Sequence, residues 1–146
     1  MRANRIRHLC TALVVTGLAC DSVSGPGDTI ARPATLEHFG DGPSLTIPAT
    51  VTVGVPLHVT FTTYGGGCVE RATNTLSVSA LVADIRSQQR EYIPREFEAC
   101  TSELRIEQND VAVAFDRPGT GLIRVFGRRM PGATPLTLEA QVTVTR

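Results

Sequence analysis

At 146 residues, with 42% hydrophobic and 19% charged side chains, the chain is long enough to bury one core and too short for two full domains. Only 5% of it is aromatic, and Thr and Val fill the apolar stretches as they do in strands, so an all-β fold is expected. All 14 basic residues are Arg; Arg2, Arg5 and Arg7 precede every acid, so beyond Ala19 there are 11 Arg against 14 acids, a net −3. That balance argues against nucleic acid, which needs clustered positive charge, and against electrostatic attraction to anionic lipid.

Met1 to His8 carries three Arg and no acid, and the apolar run Leu9–Leu18 that follows is too short to cross ~30 Å of hydrocarbon as a helix. Residues 1–19 therefore read as a secretory signal peptide. The Arg residues are never adjacent, so the twin-arginine pattern is absent and the general secretory route is expected.

The run closes on Thr16-Gly17-Leu18-Ala19-Cys20, which resembles the lipobox of bacterial lipoproteins. That resemblance implies that Cys20 becomes the mature N-terminus and carries diacylglycerol and acyl chains such as palmitate. Gly17 with Ala19 also fits the small-x-small rule of an ordinary cleaved leader, so either route cuts before Cys20. Each buried methylene contributes ~0.8 kcal/mol, so several chains on one residue would hold a small domain at a bilayer. Asp21–Asp28 is polar and Gly-rich, as a tether requires. Residues 20–43 are read as lipidated cysteine plus flexible linker, closed by the turn Gly40-Asp41-Gly42-Pro43.

The folded domain is expected over residues 44–146. Leu45, Ile47, Ala49, Val51 and Val53 share one parity against Ser44, Thr46, Thr50 and Thr52, a strand with one buried face that Pro48 confines to an edge or bend. Gly54-Val55-Pro56 turns the chain into a second strand with Leu57, Val59 and Phe61 inward, and the two are expected to form a hairpin. Parity switches near Ala80, between Leu76/Val78 and Leu81/Ala83/Ile85, which predicts a bulge or a strand changing sheets. Arg86–Glu103 lacks a period and reads as long loop or weak strand. Leu104 and Ile106, a turn at Gln108-Asn109-Asp110, then Val111, Val113 and Phe115 follow. The turn Asp116-Arg117-Pro118-Gly119 leads to Ile123 and Val125. The clearest strand is the last, with Leu136, Leu138, Ala140, Val142 and Val144 inward. About seven strands at this spacing predict an immunoglobulin-like β-sandwich, with a small barrel as the alternative.

Once Cys10 leaves with the leader and Cys20 takes lipid, Cys68 and Cys100 remain as an even pair in an oxidising compartment, and a disulfide is expected. Closing that loop stabilises by ~3.7 kcal/mol on the chain-entropy argument. The cysteines have no CxxC or HxxxH company, so no metal and no cofactor is expected. His38 in the linker and His58 on a wet strand face read as surface residues. No G-x-S-x-G turn is present, and the carboxylates Asp84, Glu91, Glu96 and Glu98 read as ordinary loop charges, so no catalytic residues are expected. Only a fold that brought His58 to both a carboxylate and a hydroxyl would revive an enzyme. Gly65-Gly66-Gly67 reads as a turn entering the disulfide, and Arg124, Arg128 and Arg129 as a solvated strand face or a basic corner for an acidic partner.

Tyr64-Gly-Gly-Gly-Cys68, Cys100-Thr-Ser-Glu-Leu-Arg105 and Gly121–Arg128 resemble small uncharacterised bacterial lipoproteins with immunoglobulin-like domains. The resemblance spans roughly residues 44–146 and implies fold and disulfide, without an activity. The expected protein is a non-enzymatic, membrane-tethered domain on the periplasmic or outer-surface side of the cell envelope, presenting loops or a sheet edge to an envelope protein or glycan. The alternative is a secreted or periplasmic binding module for a small ligand, sugar or metal, for which a concave polar pocket near Arg86–Cys100 would speak.

Overall fold

The computed structural model describes residues 28–96 and 98–146; the expected signal peptide, residues 1–19, and the expected lipidation site Cys20 lie outside them. Among the described residues there are strands and no helix. The strands are β1 (Thr29–Pro33), β2 (Thr35–His38), β3 (Leu45–Thr46), β4 (Thr50–Thr52), β5 (Leu57–Gly65) and β6 (Val69–Arg71). They continue with β7 (Thr75–Ser79), β8 (Val82–Arg86), β9 (Gln88–Tyr92), β10 (Arg105–Val113), β11 (Gly119–Met130) and β12 (Thr134–Thr145). They form two hydrogen-bonded sheets: a small one ordered β1-β9-β6, and a large one whose main path is β10-β5-β2-β11-β12-β4.

The large sheet holds the core. Period-2 alternation puts Leu57, Val59 and Phe61 of β5 on the same side as Val113 of β10. They meet Ala83 and Ile85 of β8, Ile123 and Val125 of β11, and Leu138, Val142 and Val144 of β12 in one buried cluster. The sheet therefore curls until its two ends share one interior. Phe61, Ile123 and Val125 are fully buried, and each such side chain contributes about 1.5–3 kcal/mol relative to exposure. The inward row of β12 is as the alternation predicts: Leu138, Val142 and Val144 are buried and the intervening Thr, Glu and Gln are exposed.

Several expectations are corrected. The domain does not begin near Ser44: β1 and β2 belong to it, and Ala34 and Leu36 are fully buried. β1 carries no period because all five of its residues are exposed and it is held by backbone pairing to β9. The strand around Pro48 divides there: β3 pairs antiparallel with β5 as a hairpin would, whereas β4 leaves to run parallel beside β12. The parity switch near Ala80 is a two-residue hairpin turn between β7 and β8, with Ser79 opposite Val82 and Ala80 at φ 53. Gln108-Asn109-Asp110 is not a turn but the middle of nine-residue β10. Its turn-like composition misleads because Asn109 points inward, where it is 2% exposed and donates to Thr63 Oγ1 at 2.9 Å. An inward amide is stable in a strand when it is so satisfied. Finally, Arg86–Glu103 contains the five-residue strand β9, the weak strand allowed for there, and twelve strands of two to twelve residues replace the expected seven.

The two sheets part along one edge of β11. β8 follows that edge in parallel as far as Phe126, and Ser87 still donates its N–H to Phe126 O at 3.1 Å. The chain then leaves as β9, and β2 takes over the edge from Arg128, whose N–H reaches Ala34 O at 2.8 Å. Gly127 sits at the changeover, where a Cβ would stand 2.5 Å from Ala34 O. Only glycine lets the two backbones pass this closely.

Candidate functional site

The parting of the sheets leaves backbone groups that neither ladder can satisfy, and Gln89 is placed to satisfy them. Its side chain is 3% exposed. Oε1 accepts from Thr35 N–H at 3.0 Å, and Nε2 donates to Tyr64 O at 2.8 Å. Buried backbone groups left unpaired cost about 1–3 kcal/mol each, so one amide secures both strands at the fork.

Above the fork lies an open cleft of about 320 Å³, floored by β2, β5 and β11 and walled by β9 and by Thr101–Leu104 after the disulfide. Register explains its floor. Tyr64 lies opposite Thr35, and Thr35 lies beside Arg128, so all three share a face. An irregularity between Arg128 and Arg129 then shifts the β2–β11 pairing, bringing His38 beside Met130. His38 stacks on Tyr64, with ring centroids 5.9 Å apart and planes at 20°. Arg129 falls on the other side of this shift and pairs with Glu37 at 2.8 Å.

The cysteines form the expected disulfide, Cys68–Cys100, with Cα atoms 5.2 Å apart. It clamps the end of the cleft. Tyr92 N–H donates to Cys68 O at 2.8 Å, tying the bridge to β9. Gly67 in the Gly-rich turn lies so close to the far arm that a Cβ would stand 2.7 Å from Thr101 N. The Gly tract therefore serves close approach at the bridge.

The two most exposed large apolar residues stand at this end. Phe39 is 70% and Ile106 65% exposed, the two highest values among the exposed large hydrophobic residues. Phe39 packs edge-on to His38 at 4.6 Å between ring centroids, and Ile106 lies opposite Tyr64 in the β5–β10 register. Leu104, 43% exposed, lines the cleft itself. Two carboxylates also line it, and each has its own cation outside: Glu91 pairs with Arg32, and Glu103 with Arg105 at 3.5 Å.

The remaining candidates lie elsewhere. His58 Nδ1 is 2.7 Å from Asp110 Oδ1, so the fold brings His58 to a carboxylate, one of the two groups an enzyme would need. Thr60 lies opposite Asp110 on the same face of β5 as His58, but among the described residues no hydroxyl hydrogen-bonds to either group, and both side chains are more than half exposed. Asp84 forks Arg124 at 2.7 and 2.9 Å, which raises the Arg124 pKa, and Arg86 and Arg124 flank the Phe126 ring. Glu98 accepts the Tyr92 hydroxyl and the Arg95 N–H, and these two bonds lower its pKa in that order. A second, more polar cleft lies between β10 and the β6–β7 connection, with Arg71 and Arg90 on its lining. They come from the adjacent strands β6 and β9 and are one register step apart, Arg71 beside Gln89 and Arg90 beside Glu70. Among the described residues no three His, Cys, Asp or Glu side chains gather as a metal site would need.

Comparison with protein-family models, curated proteins and solved structures returned no match. The cleft borders the Arg86–Cys100 segment, where the binding-module alternative expects a pocket, but His38 on its lining, read as linker, and Gln89 at the fork, read as loop or weak strand, are not among the expected site residues. The one usable signal was the unusual density of aromatic residues and glycines in His38-Phe39 and Tyr64-Gly-Gly-Gly beside a cysteine.

Proposed function

We propose that the protein is an exported bacterial lipoprotein, held to a membrane of the cell envelope through Cys20, whose disulfide-stapled domain is a non-enzymatic interaction module. The domain is read as an immunoglobulin-like sandwich. Support comes from its curled, mostly antiparallel large sheet and from an early strand, β4, lying parallel beside the last, β12.

The observation that carries the interaction reading is that Leu104 lines the cleft while the two most exposed large apolar residues, Phe39 and Ile106, adjoin its lining residues His38 and Tyr64. Scattered apolar residues on a surface need no explanation, but aromatic and aliphatic side chains rimming a concave site are what a binding surface requires. The cleft also favours a second reading, the small-ligand binding module. Its volume lies at the lower end of ligand sites, which run from ~300 Å³ upward.

The test is photo-crosslinking in intact cells, with p-benzoylphenylalanine placed singly at Phe39, at Ile106 and at the control Val55. Val55 is 51% exposed and lies at the opposite end of β5, ~25–30 Å from Tyr64. A reproducible adduct of one size from Phe39 and Ile106 and none from Val55 supports the reading. Equal labelling from all three positions, or none from the rim, contradicts it.

A further inference from the structure

We infer that the cleft takes a ligand bearing a carboxylate beside a flat apolar group, with Arg128 receiving the carboxylate. This deepens the reading of the cleft as a binding surface and rests on it.

Arg128 is aimed rather than loose. It is half-buried, and its Nε donates to Thr35 Oγ1 at 3.2 Å. Thr35 is itself 3% exposed and held by Gln89 through its backbone N–H. A guanidinium has five N–H donors, and this contact uses one. The other four meet no carboxylate among the described residues. Arg128 is the one arginine on the cleft lining, whereas Arg32 and Arg105 beside it and Arg129 next in sequence each have an acid partner.

The charge around the cleft has the matching sign. Glu91 and Glu103 are the carboxylates on the lining, and counting Arg32 and Arg105, which pair with them, three guanidiniums stand against two carboxylates. A forked, planar contact to carboxylate is the geometry a guanidinium favours. Beside Arg128 the floor turns apolar and flat, with Tyr64 under the stacked His38 ring, Met130 and Leu104. One cation on an aromatic floor suits a monoanion with an aromatic or aliphatic body better than a small, fully hydrated polyanion. Such a carboxylate exists both in small organic acids and at the C-terminus of a peptide.

The full chain, purified in mild detergent, is titrated and followed through its amide NMR signals. The probes are phenylacetate, phenylacetamide, inorganic phosphate, and acetyl-Leu-Phe with either a free or an amidated C-terminus. At least one of the two acids is expected to shift the Tyr64, Leu104 and Arg128 amides saturably, with its amide twin about tenfold weaker or worse. Shifts from phenylacetate identify small acids, and shifts from the peptide acid alone identify peptide ends. Arg128→Gln is expected to lose about tenfold in affinity, whereas Arg129→Gln, whose guanidinium pairs with Glu37, keeps it. The acid-against-amide comparison on the unaltered chain decides the matter even if Arg128→Gln does not fold. Acid and amide binding alike, phosphate binding as well as the acids, or no binding by either acid overturns the inference. Rim crosslinks without acid selectivity would remove the ligand class and leave the binding surface standing; the absence of rim crosslinks would remove the surface.

Discussion

The body of the large sheet and the end that carries the cleft are held together by different forces. In the body, alternating Val, Leu, Ile and Phe bury one face each, and the cluster around Phe61, Ile123 and Val125 closes without a charged side chain. At the cleft end two sheets diverge, and the chain is secured by a covalent bridge and by Gln89 bonded to two strands. The first arrangement is insensitive to which apolar residue sits where, provided volume is conserved. The second depends on individual atoms. A domain of this size can therefore keep a stable base while one end is left open and partly polar, and an open end is where a partner can be met.

That contrast can be broken from either side. Phe61→Ala removes one of the two largest fully buried side chains of the body and is expected to cost about 3–5 kcal/mol, measured by urea unfolding. If the change costs under about 1 kcal/mol, burial is not what holds the body. Replacing both Cys68 and Cys100 by Ser is expected to cost ~3.7 kcal/mol through the loop released in the unfolded chain. Gln89→Leu strands Thr35 N–H and Tyr64 O, so a loss of about 2–3 kcal/mol is expected. Hydrogen exchange should rise at Thr35 and along β9 before it rises in β12; uniform acceleration would show that the fork is not separately held.

The smallest effect concerns pH. The Glu98 carboxyl is held below the ordinary carboxylate range, first by the Tyr92 hydroxyl and then by the Arg95 N–H. A depressed folded pKa means that this contact contributes at pH values above the unfolded pKa and is lost as pH falls through the folded one. Tyr92→Phe should move the Glu98 titration upward, toward the ordinary range, as read by its carboxyl carbon shift. A titration that stays where it was, or moves down, would show that the hydroxyl is not the main cause.

The body was legible in the sequence and the cleft end largely was not, for reasons visible in single residues. Leu57, Val59 and Phe61, or Leu138, Val142 and Val144, declare a buried face because nothing but apolar alternation is needed there. The Cys68–Cys100 bridge could be reached by elimination. Asn109 and Gln89 are polar yet buried, and their fitness depends on partners 46 and 25 residues away, which no local pattern displays. β1 has both faces exposed and so no alternation to read. His38 gains its place from an irregularity in pairing with Met130, and Arg128 from a hydroxyl 93 residues away.

The claim on which the partner search depends is the tethered, disulfide-closed state, and intact-mass analysis of the protein from its native membranes tests it most directly, with and without reduction and beside Cys20→Ser. The account predicts a mature chain beginning at Cys20, a diacylglycerol and acyl increment on it, membrane partitioning that Cys20→Ser abolishes, and a gain of about 2 Da on reduction. An unlipidated, soluble chain would contradict the tether and move the free binding module ahead.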